Sequence, residues 1–326
     1  MNTFVIAEAG ANHNRNFNQA LALIDVAVEA GASACKFQTY SSDTLYSKNT
    51  PDFAGYKNIN KLIKDIELPR EWQKDLKQYC DEKGIEFMST PFDEKAVDEL
   101  IALGVKRLKI AGFESTDFRF VNMVASAKLP LVISLGIGFE TDYLNKIFDI
   151  ASRYGNELSF MYANNAYPTP IEDAGVAIVR QLAQDTKHRW GLSDHTESTL
   201  TPALAVVAGA TIIEKHFTLS KRLPGPDHPF ALEPNELKEM IQHIKFAEQS
   251  IIKQSLDGIS NSEQAFKQAM RSVVAKKPIQ AGETFTLDNI TTKRPFLEGN
   301  IPASEFEHVL GNKATKGYNE DDFICN

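Results

Sequence analysis

Apolar residues follow two alternating patterns along the first 254 residues of the chain. Short runs rich in β-branched and aromatic residues are separated by longer stretches in which apolar residues recur every three or four positions. The short runs predict buried strands, and the longer stretches predict amphipathic helices. Eight runs have the strand pattern, at residues 4–9, 34–39, 85–89, 107–110, 131–134, 158–162, 189–192 and 211–214.

Helical patterns occupy the intervals between these runs. They cover residues 18–29, 93–103, 118–127, 142–154, 172–183, 199–209 and 234 to about 254. Eight strands that alternate with helices predict a (β/α)8 barrel, the TIM barrel of the α/β class. An open, doubly wound sheet is the alternative. The barrel is favoured because the strand count reaches eight and no Gly-x-Gly-x-x-Gly motif follows a strand.

The pattern changes after the last helical stretch. A polar, turn-rich segment follows, and short β-like runs begin at about Met270. We therefore predict a catalytic barrel domain at residues 1–254, a linker at 255–269 and a small β-rich domain at 270–326. The small domain is too short for a large core of its own, so we expect it to dock on another surface.

The composition is that of an ordinary globular protein and narrows the possible functions. Hydrophobic residues make up 43% and charged residues 24% of the 326 residues, which excludes disordered and fibrous classes. No apolar run approaches the ~20 residues that span a bilayer. The formal net charge of -8 gives no overall attraction to nucleic acid or to an anionic membrane. Three cysteines without metal-type spacing, and no signal peptide, indicate the reducing cytoplasm.

Polar side chains follow every predicted strand. In a (β/α)8 barrel the carboxyl ends of the strands meet at one rim, where the chemistry takes place. The rim residues are Glu8, Lys36, Gln38, Thr90, Lys109, Ser134, Asn165, Tyr167, Ser193, His195, Glu214, His216 and, from a flanking loop, Asp227. Each one alone is readily explained as a surface charge, a helix cap or a core residue. The long irregular segment 41–70 is expected to cover this rim.

Two pairs among these residues indicate the chemistry. Lys36 and Lys109 interrupt otherwise apolar runs, where a charge is costly unless it is paired. With the neighbouring hydroxyl groups, the two lysines suit a phosphate and a carboxylate. His195 and His216 end consecutive strands, and two imidazoles without a thiolate suit a divalent metal with open coordination positions. For each histidine by itself, a place in the core or on the surface is the alternative.

Six longer motifs occur in order along the predicted barrel. They are Ala7-Glu8-Ala9-Gly10-Ala11-Asn12-His13, Lys36-Phe37-Gln38-Thr39, Ser89-Thr90-Pro91-Phe92-Asp93, Ser193-Asp194-His195, Ile213-Glu214-Lys215-His216-Phe217-Thr218 and Gly225-Pro226-Asp227-His228. These motifs strongly resemble the sialic acid synthases, a family that includes N-acetylneuraminate, legionaminate and pseudaminate synthases. The tail resembles the antifreeze-like SAF domain of that family through Arg271-Ser272 and Thr292-Lys293-Arg294-Pro295.

The resemblance implies a transferase that condenses phosphoenolpyruvate with the aldehyde form of an N-acylated amino sugar and releases phosphate by C–O cleavage. N-acetylmannosamine or a related bacterial sugar would be the acceptor. The resemblance also implies a domain-swapped homodimer, in which the SAF domain of one chain caps the barrel of the other. A divalent metal would be required, typically Mn²⁺, with Mg²⁺ or Co²⁺ as alternatives.

The resemblance assigns these roles to individual residues. His195 and His216 would hold the metal, and Glu8 and Asp227 would be catalytic. Phosphoenolpyruvate would be bound by Lys36, Thr90, Lys109, Ser134, Asn165 and Ser193. The sugar would be bound by Gln38, Tyr167 and, from the partner chain, Arg294.

Several positions depart from the family pattern. Gly112 stands where a serine usually follows the fourth strand, and Leu135 stands where a threonine follows the fifth. Arg15 replaces a glycine in the first loop, and Phe296 interrupts the SAF signature. These departures bear on the identity of the sugar more than on the reaction.

Two other functions stay open at this point. A desolvated lysine in a barrel can attack a carbonyl, so Lys109 could serve a Schiff-base aldolase. Alternatively, the protein could be a non-catalytic sugar-binding protein whose barrel has lost its activity, with Gly112 as one sign of that loss.

Overall fold

Eight parallel strands form the first part of the protein in the computed structural model, which describes residues 3–52, 55, 57–252 and 258–325. The strands are β1 (Phe4–Gly10), β2 (Ala34–Thr39), β3 (Glu86–Pro91), β4 (Leu108–Ile110), β5 (Leu131–Ser134), β6 (Leu158–Ala163), β7 (Arg189–Asp194) and β8 (Ile212–His216). They are hydrogen-bonded in the order β3-β2-β1-β8-β7-β6-β5-β4. The end strands β3 and β4 lie side by side, so the barrel is nearly closed. The predicted barrel is confirmed, and the open sheet is excluded.

Ten helices belong to the described part of this barrel unit. They are α1 (Phe17–Ala30), α2 (Ser42–Leu45), α3 (Ile59–Ile66), α4 (Gln73–Lys83), α5 (Glu94–Leu103), α6 (Phe118–Ser126), α7 (Thr141–Ser152), α8 (Val176–Leu182), α9 (Thr201–Val207) and α10 (Pro234–Ser250). None of the described helices is long and apolar enough to cross a bilayer.

The start and the end of α1 show how the sequence sets the helix boundaries. The side chain of Asn16 caps the first turn by accepting from the backbone N–H of Gln19 at 3.2 Å. Gly31 ends the helix in the left-handed conformation, with φ at 86°, which glycine adopts without steric cost. Between these caps, Leu23 and Ile24 are fully buried against the sheet.

The hydrophobic pattern does not predict α4. Its sequence is mostly charged and polar, and only Gln73, Leu76 and Cys80 are buried. Such a narrow apolar stripe gives a weak helical period. The helix ends at Gly84, which is also left-handed, with φ at 75°.

The irregular segment 41–70 contains the two short helices α2 and α3. It contacts the loops that follow β1 and β3: Arg15 donates to the carbonyl oxygen of Lys64 at 2.8 Å, and Thr44 donates to Asp93 at 3.0 Å. The segment therefore lies beside the carboxyl ends of these two strands. Residues 53, 54 and 56 of the segment lie outside the described residues.

The barrel interior is divided into an apolar layer and a polar layer. Six buried side chains form the apolar cluster of the interior: Ile6, Ala34, Met88, Val132, Met161 and Ile212. Because side chains alternate along a strand, the residue two positions later points into the same interior. Those later residues are polar on five of these six strands: Glu8, Lys36, Thr90, Ser134 and Glu214. The apolar layer thus forms the floor of a polar site.

The second compact unit begins after Ile252. It contains two antiparallel strands, β9 (Ser272–Ala275) and β10 (Ile290–Lys293), and the short helix α11 (Phe306–Val309). Its own core includes Val273, Phe285 and Tyr318. The predicted boundary at residue 254 and the first three residues of the predicted linker lie outside the described residues. The end of that linker is a 3₁₀ helix, Gln264–Ala269.

We predict that replacing Phe160 with alanine will destabilise the barrel by about 3–5 kcal/mol. Phe160 is fully buried, and its ring lies 4.8 Å from that of Phe148 and 5.2 Å from that of Trp190. Urea unfolding followed by tryptophan fluorescence measures the change, because Trp72 and Trp190 both lie in the barrel unit. The matched control is Phe246→Ala on α10, where the ring is 57% exposed, and a change within about 0.5 kcal/mol is expected. Equal effects at the two positions would contradict this view of the core.

Candidate active site

The polar layer opens into one cavity at the carboxyl ends of the strands. Every barrel strand, or the loop after it, contributes to the walls. The lining residues are Glu8, Lys36, Gln38, Thr90, Phe92, Lys109, Ala111, Gly112, Ser134, Ala163, Asn165, Tyr167, Ser193, His195, Glu214 and His216. The structure therefore brings together all the predicted barrel site residues except Asp227, which lies beside His216.

Lys36 is held from two sides at the top of β2. Its ammonium nitrogen donates to Thr90 Oγ1 at 3.0 Å. It also lies 2.7 Å from Glu8 Oε2, although this oxygen has no partner in hydrogen-bond geometry among the described residues. Gln38 donates to the other oxygen of Glu8 at 2.9 Å. The Glu8 carboxylate is thus fixed between a cation and an amide.

Lys109 is the second buried cation of the site. It donates to Ser134 Oγ at 2.9 Å and lies 3.5 Å from Glu214 Oε1. Ser193 donates to the same Glu214 oxygen at 3.1 Å, and Lys36 lies 3.5 Å from Glu214 Oε2. The Glu214 carboxylate therefore joins both lysines and a serine in one network.

Glu214 is the site residue that the sequence analysis did not assign a role. It stands in the rim pattern and in the Ile-Glu-Lys-His motif, but the pattern does not show which buried charges it faces. Counting the buried charges would identify Glu214 from the sequence, because two lysines inside a barrel need at least two counter-charges. Glu8 supplies one of them. Glu214 is the other acidic residue at a strand-end position that points into the barrel.

The charges of the network shift the pKa values of its members. Burial raises the pKa of Glu8 to about 7, although Lys36 opposes this rise. Lys109, followed by Lys36, overcomes the effect of burial on Glu214 and lowers its pKa to about 2. Burial lowers the pKa of Lys109, whereas Glu214 and Glu8 raise that of Lys36 above its ordinary value despite its burial.

His195 and His216 lie next to each other at the ends of β7 and β8. Their ring centroids are 5.5 Å apart. His195 Nδ1 lies 2.6 Å from the carbonyl oxygen of Asn164, which leaves Nε2 as the nitrogen free to bind a ligand. Within the part of the chain that the structure describes, His216 Nδ1 is buried without a hydrogen-bond partner. It lies 3.6 Å from Asp227 Oδ2.

These two imidazoles fit a divalent metal. Burial lowers the pKa of His195 to about 4 and that of His216 well below its ordinary value, so both rings are neutral near pH 7, as metal ligands must be. Within the described ranges, no group of three or more His, Cys, Asp or Glu side chains could hold a metal.

The residues assigned to the sugar are placed differently from one another. Tyr167 packs on His195, with ring centroids 4.2 Å apart. Asp227, which was assigned a catalytic role, has Oδ2 3.6 Å from His216 Nδ1, and burial raises its pKa to about 6. Both therefore lie beside the histidine pair. Arg294 is exposed and follows β10 in the second unit, and it is described only within that unit.

The departure at Gly112 has a physical counterpart in the site. A Cβ atom at this position would lie 2.7 Å from Asn165 Oδ1 and 3.2 Å from the carbonyl oxygen of Leu135. The amide of Asn165 therefore occupies space that a residue-112 side chain would need. Gly112 lacks the serine hydroxyl of the family pattern, and the amide of Asn165 occupies the place of that hydroxyl.

These features define a (β/α)8-barrel protein with paired ammonium groups and paired imidazoles at its rim, followed by a small β unit. The chain belongs to the NeuB family, which residues 23–255 match. Residues 270–324 match the SAF domain. The resemblance drawn from the motifs is confirmed.

Three similar proteins illustrate the relationship. The chain is 37% identical to an N,N'-diacetyllegionaminic acid synthase of Legionella pneumophila, over 96% of this chain and 90% of that protein. It is 34% identical to a pseudaminic acid synthase of Campylobacter jejuni, over 96% of this chain and 92% of that protein. A crystal structure of N-acetylneuraminic acid synthetase from Leptospira borgpetersenii is similar with a TM-score of 0.75 and 30% identity, over 82% of this chain and 90% of that one.

We predict that Glu214→Gln will lower the free energy of unfolding by about 3–5 kcal/mol near pH 7, because it leaves two buried lysines short of one counter-charge. The folded pKa of Glu214, about 2, lies below its ordinary value of 4.5. Its stabilising effect is therefore present above pH 4.5 and is lost as the pH falls toward 2, so the deficit of the variant should shrink on acidification. Urea unfolding over this pH range measures it.

The control for this prediction is Glu99→Gln. Glu99 pairs with Arg70 at 2.9 Å, but its side chain is 31% exposed, so a loss of at most about 1 kcal/mol is expected. A Glu214→Gln protein as stable as the wild type at neutral pH would show that Glu214 does not balance the lysines.

Proposed function

We propose that the protein condenses phosphoenolpyruvate with the open-chain aldehyde of an N-acylated amino sugar, and forms a nonulosonic acid and phosphate. The observation that carries the proposal is the convergence of two buried ammonium groups, Lys36 and Lys109, with two neutral imidazoles, His195 and His216, at one cavity. The relatives that make legionaminic, pseudaminic and N-acetylneuraminic acids support the reaction class. N-acetylmannosamine or a related bacterial sugar is the proposed acceptor.

Phosphoenolpyruvate is bound by the lysine side of the cavity. Lys36 and Lys109 supply positive charge to its phosphate and carboxylate, and Thr90, Ser134 and Ser193 supply oriented hydroxyl groups. The amide of Asn165 adds a further donor in the space above Gly112. Binding at fixed positions turns the encounter of donor and acceptor into an oriented, effectively unimolecular step.

The sugar is bound on the histidine side, where Gln38, Tyr167 and Asp227 face it. His195 and His216 would hold a divalent ion, which the family resemblance gives as Mn²⁺, with Mg²⁺ or Co²⁺ as alternatives. When bound, such an ion supplies Lewis-acid polarisation of the aldehyde oxygen. The reaction then depends on how the protein orients the aldehyde carbon toward C3 of phosphoenolpyruvate.

The bonding changes follow from these positions. C3 of phosphoenolpyruvate forms a bond to the aldehyde carbon, whose oxygen takes up a proton, and positive charge develops at C2. Water adds to C2 and loses a proton, which leaves a tetrahedral centre that bears a hydroxyl and the phosphate ester. The C–O bond to phosphate then breaks, the hydroxyl becomes the C2 keto group, and its proton leaves with the phosphate. Glu8 is the proposed acceptor of the water proton, because a pKa of about 7 suits a general base near neutral pH. Asp227, with a pKa of about 6, is the second group for proton transfer.

We predict that the purified protein, supplied with Mn²⁺ and phosphoenolpyruvate, will release phosphate only when an acceptor aldehyde is present. The panel of acceptors is N-acetylmannosamine, its 6-phosphate and the diacetamido trideoxyhexoses. Phosphoenolpyruvate labelled with ¹⁸O at the bridging position should transfer the label to phosphate, because the C–O bond breaks. His216→Ala should abolish turnover and weaken Mn²⁺ binding, since it removes one of two ligands.

The same assay separates this function from the two alternatives. A Schiff-base aldolase has support in the lowered pKa of Lys109, and it would leave a covalent adduct after borohydride treatment with pyruvate. Trapping of pyruvate on Lys109 would overturn the synthase proposal. Sugar binding without phosphate release across the whole panel would favour the non-catalytic function.

We further propose that the enzyme works in the cytoplasm as a domain-swapped homodimer, in which Arg294 contacts the N-acyl group of the sugar in the partner's barrel. This assignment draws on the SAF domain matched at residues 270–324. The small unit has a core of few residues, and docking on a barrel would stabilise it.

Mixing two inactive variants tests the exchange of domains. Arg294→Ala impairs only the small unit, and His216→Ala impairs only the barrel. Mixed dimers of the two would contain one intact site, so an equal mixture refolded together should regain about a quarter of the wild-type activity. A mixture of His216→Ala with Glu8→Gln should stay inactive, because both changes lie in the barrel. No recovery in the first mixture, with each variant dimeric, would count against the contribution in trans.

A further inference from the structure

Lys215 lies on the outer face of β8, between two residues of the site. Because side chains alternate along a strand, Glu214 and His216 point into the barrel and Lys215 points away from it. Lys215 is 1% exposed, and a buried ammonium group needs an opposite charge. Asp194, the residue paired with it on β7, supplies that charge, with Nζ 2.7 Å from Oδ2.

The same ammonium group holds the chain on both sides of His195. It donates to the carbonyl oxygen of Thr196 and lies 3.4 Å from the hydroxyl of that residue. Asp194 accepts from the backbone N–H of Thr196 at 3.0 Å and from its hydroxyl at 3.1 Å. Asp194 and Thr196, the neighbours of His195 in the chain, therefore both bind the ammonium group of Lys215. His216 directly follows Lys215 in the chain.

The orientation of the His216 ring depends on the position of its backbone. Its Nδ1 atom has no hydrogen-bond partner in the described ranges, whereas His195 is oriented by the carbonyl oxygen of Asn164. Ring contacts with Tyr167 and Phe230, at 6.0 and 5.3 Å between centroids, limit the tilt of His216. They do not hold the backbone at the ends of β7 and β8, where the ladder stops at Asp194 and Lys215 and the ion pair joins the same two residues.

We propose that Lys215 is a positioning residue for the histidine pair: beyond the last paired residues of the β7–β8 ladder, its bonds to Asp194 and Thr196 fix the course of the backbone through His195 relative to His216, and thereby the affinity for the metal. This inference rests on the metal site of the proposed function. Groups that orient metal ligands without touching the metal typically contribute 10–100-fold to metal affinity.

A purely structural role for the ion pair makes a different prediction. Replacing a buried ion pair by apolar residues of similar volume is often neutral or stabilising, because neither charge then has to be desolvated. The double variant Lys215→Met/Asp194→Leu should therefore fold, even if Lys215→Met alone does not. It would restore the packing between β7 and β8 but not the bonds to Thr196.

Binding of Mn²⁺ to the full-length protein tests the inference. The signal of free Mn²⁺ in electron paramagnetic resonance gives the dissociation constant without any turnover, and thermal unfolding without metal gives the stability. We expect the double variant to unfold within a few degrees of the wild type and to bind Mn²⁺ at least about tenfold more weakly. The control is Arg107→Met, which breaks the pair of Arg107 and Glu86 at 2.7 Å, at the opposite end of the barrel, and should change the affinity by less than about twofold.

Each outcome decides the question. Weakened Mn²⁺ binding in the double variant, with normal binding in Arg107→Met, supports the positioning role. Wild-type affinity in the double variant overturns the role and leaves the proposed metal site intact. Equal weakening in Arg107→Met also overturns it, because general destabilisation then explains the effect. No Mn²⁺ binding by the wild type would remove the metal site and this inference together.

Discussion

Charge compensation at the top of the barrel is the constraint on which the site depends. Lys36 and Lys109 carry two buried positive charges, and Glu8 and Glu214 carry the charges that balance them. Burial places the pKa of Glu8 at about 7, whereas the lysines hold that of Glu214 at about 2. The cluster is therefore neutral when Glu8 is ionised and singly positive when Glu8 is protonated. Glu214 is therefore ionised throughout the neutral range, and the protonation of Glu8 decides whether the cluster is neutral or singly positive.

Strand alternation explains why so much of this arrangement follows from the sequence. An interior residue is followed two positions later by another interior residue, so a run such as Ile6 to Glu8 predicts both the apolar floor and the polar group above it. The eight runs therefore indicate the barrel and the ring of groups at its rim. They do not indicate which groups pair, because cross-barrel contacts such as that of Glu214 with Lys36 join residues far apart in the chain.

The features that the sequence analysis missed have local physical causes. Helix α4 has few apolar residues, and the barrel packs against only a narrow stripe of it. Arg15 occupies a left-handed position, with φ at 51°, which explains why a glycine suits this place in the family pattern. Its guanidinium reaches the carbonyl oxygen of Lys64, a contact that glycine could not make. At Gly112 the amide of Asn165 takes up the free space, which no residue pattern along the chain can reveal.

The seam between β3 and β4 has a consequence for how the pocket adapts. Among the described strands, these two are neighbours in space without a shared backbone ladder, and Arg107 and Glu86 bridge them at the amino-terminal end. Thr90 and Lys109 stand on either side of the same seam, inside the cavity. The separation of the two strands is therefore not fixed there by a backbone ladder. A small change in that separation would break no backbone hydrogen bond of the sheet, and it would move Thr90 and Lys109 relative to each other inside the cavity.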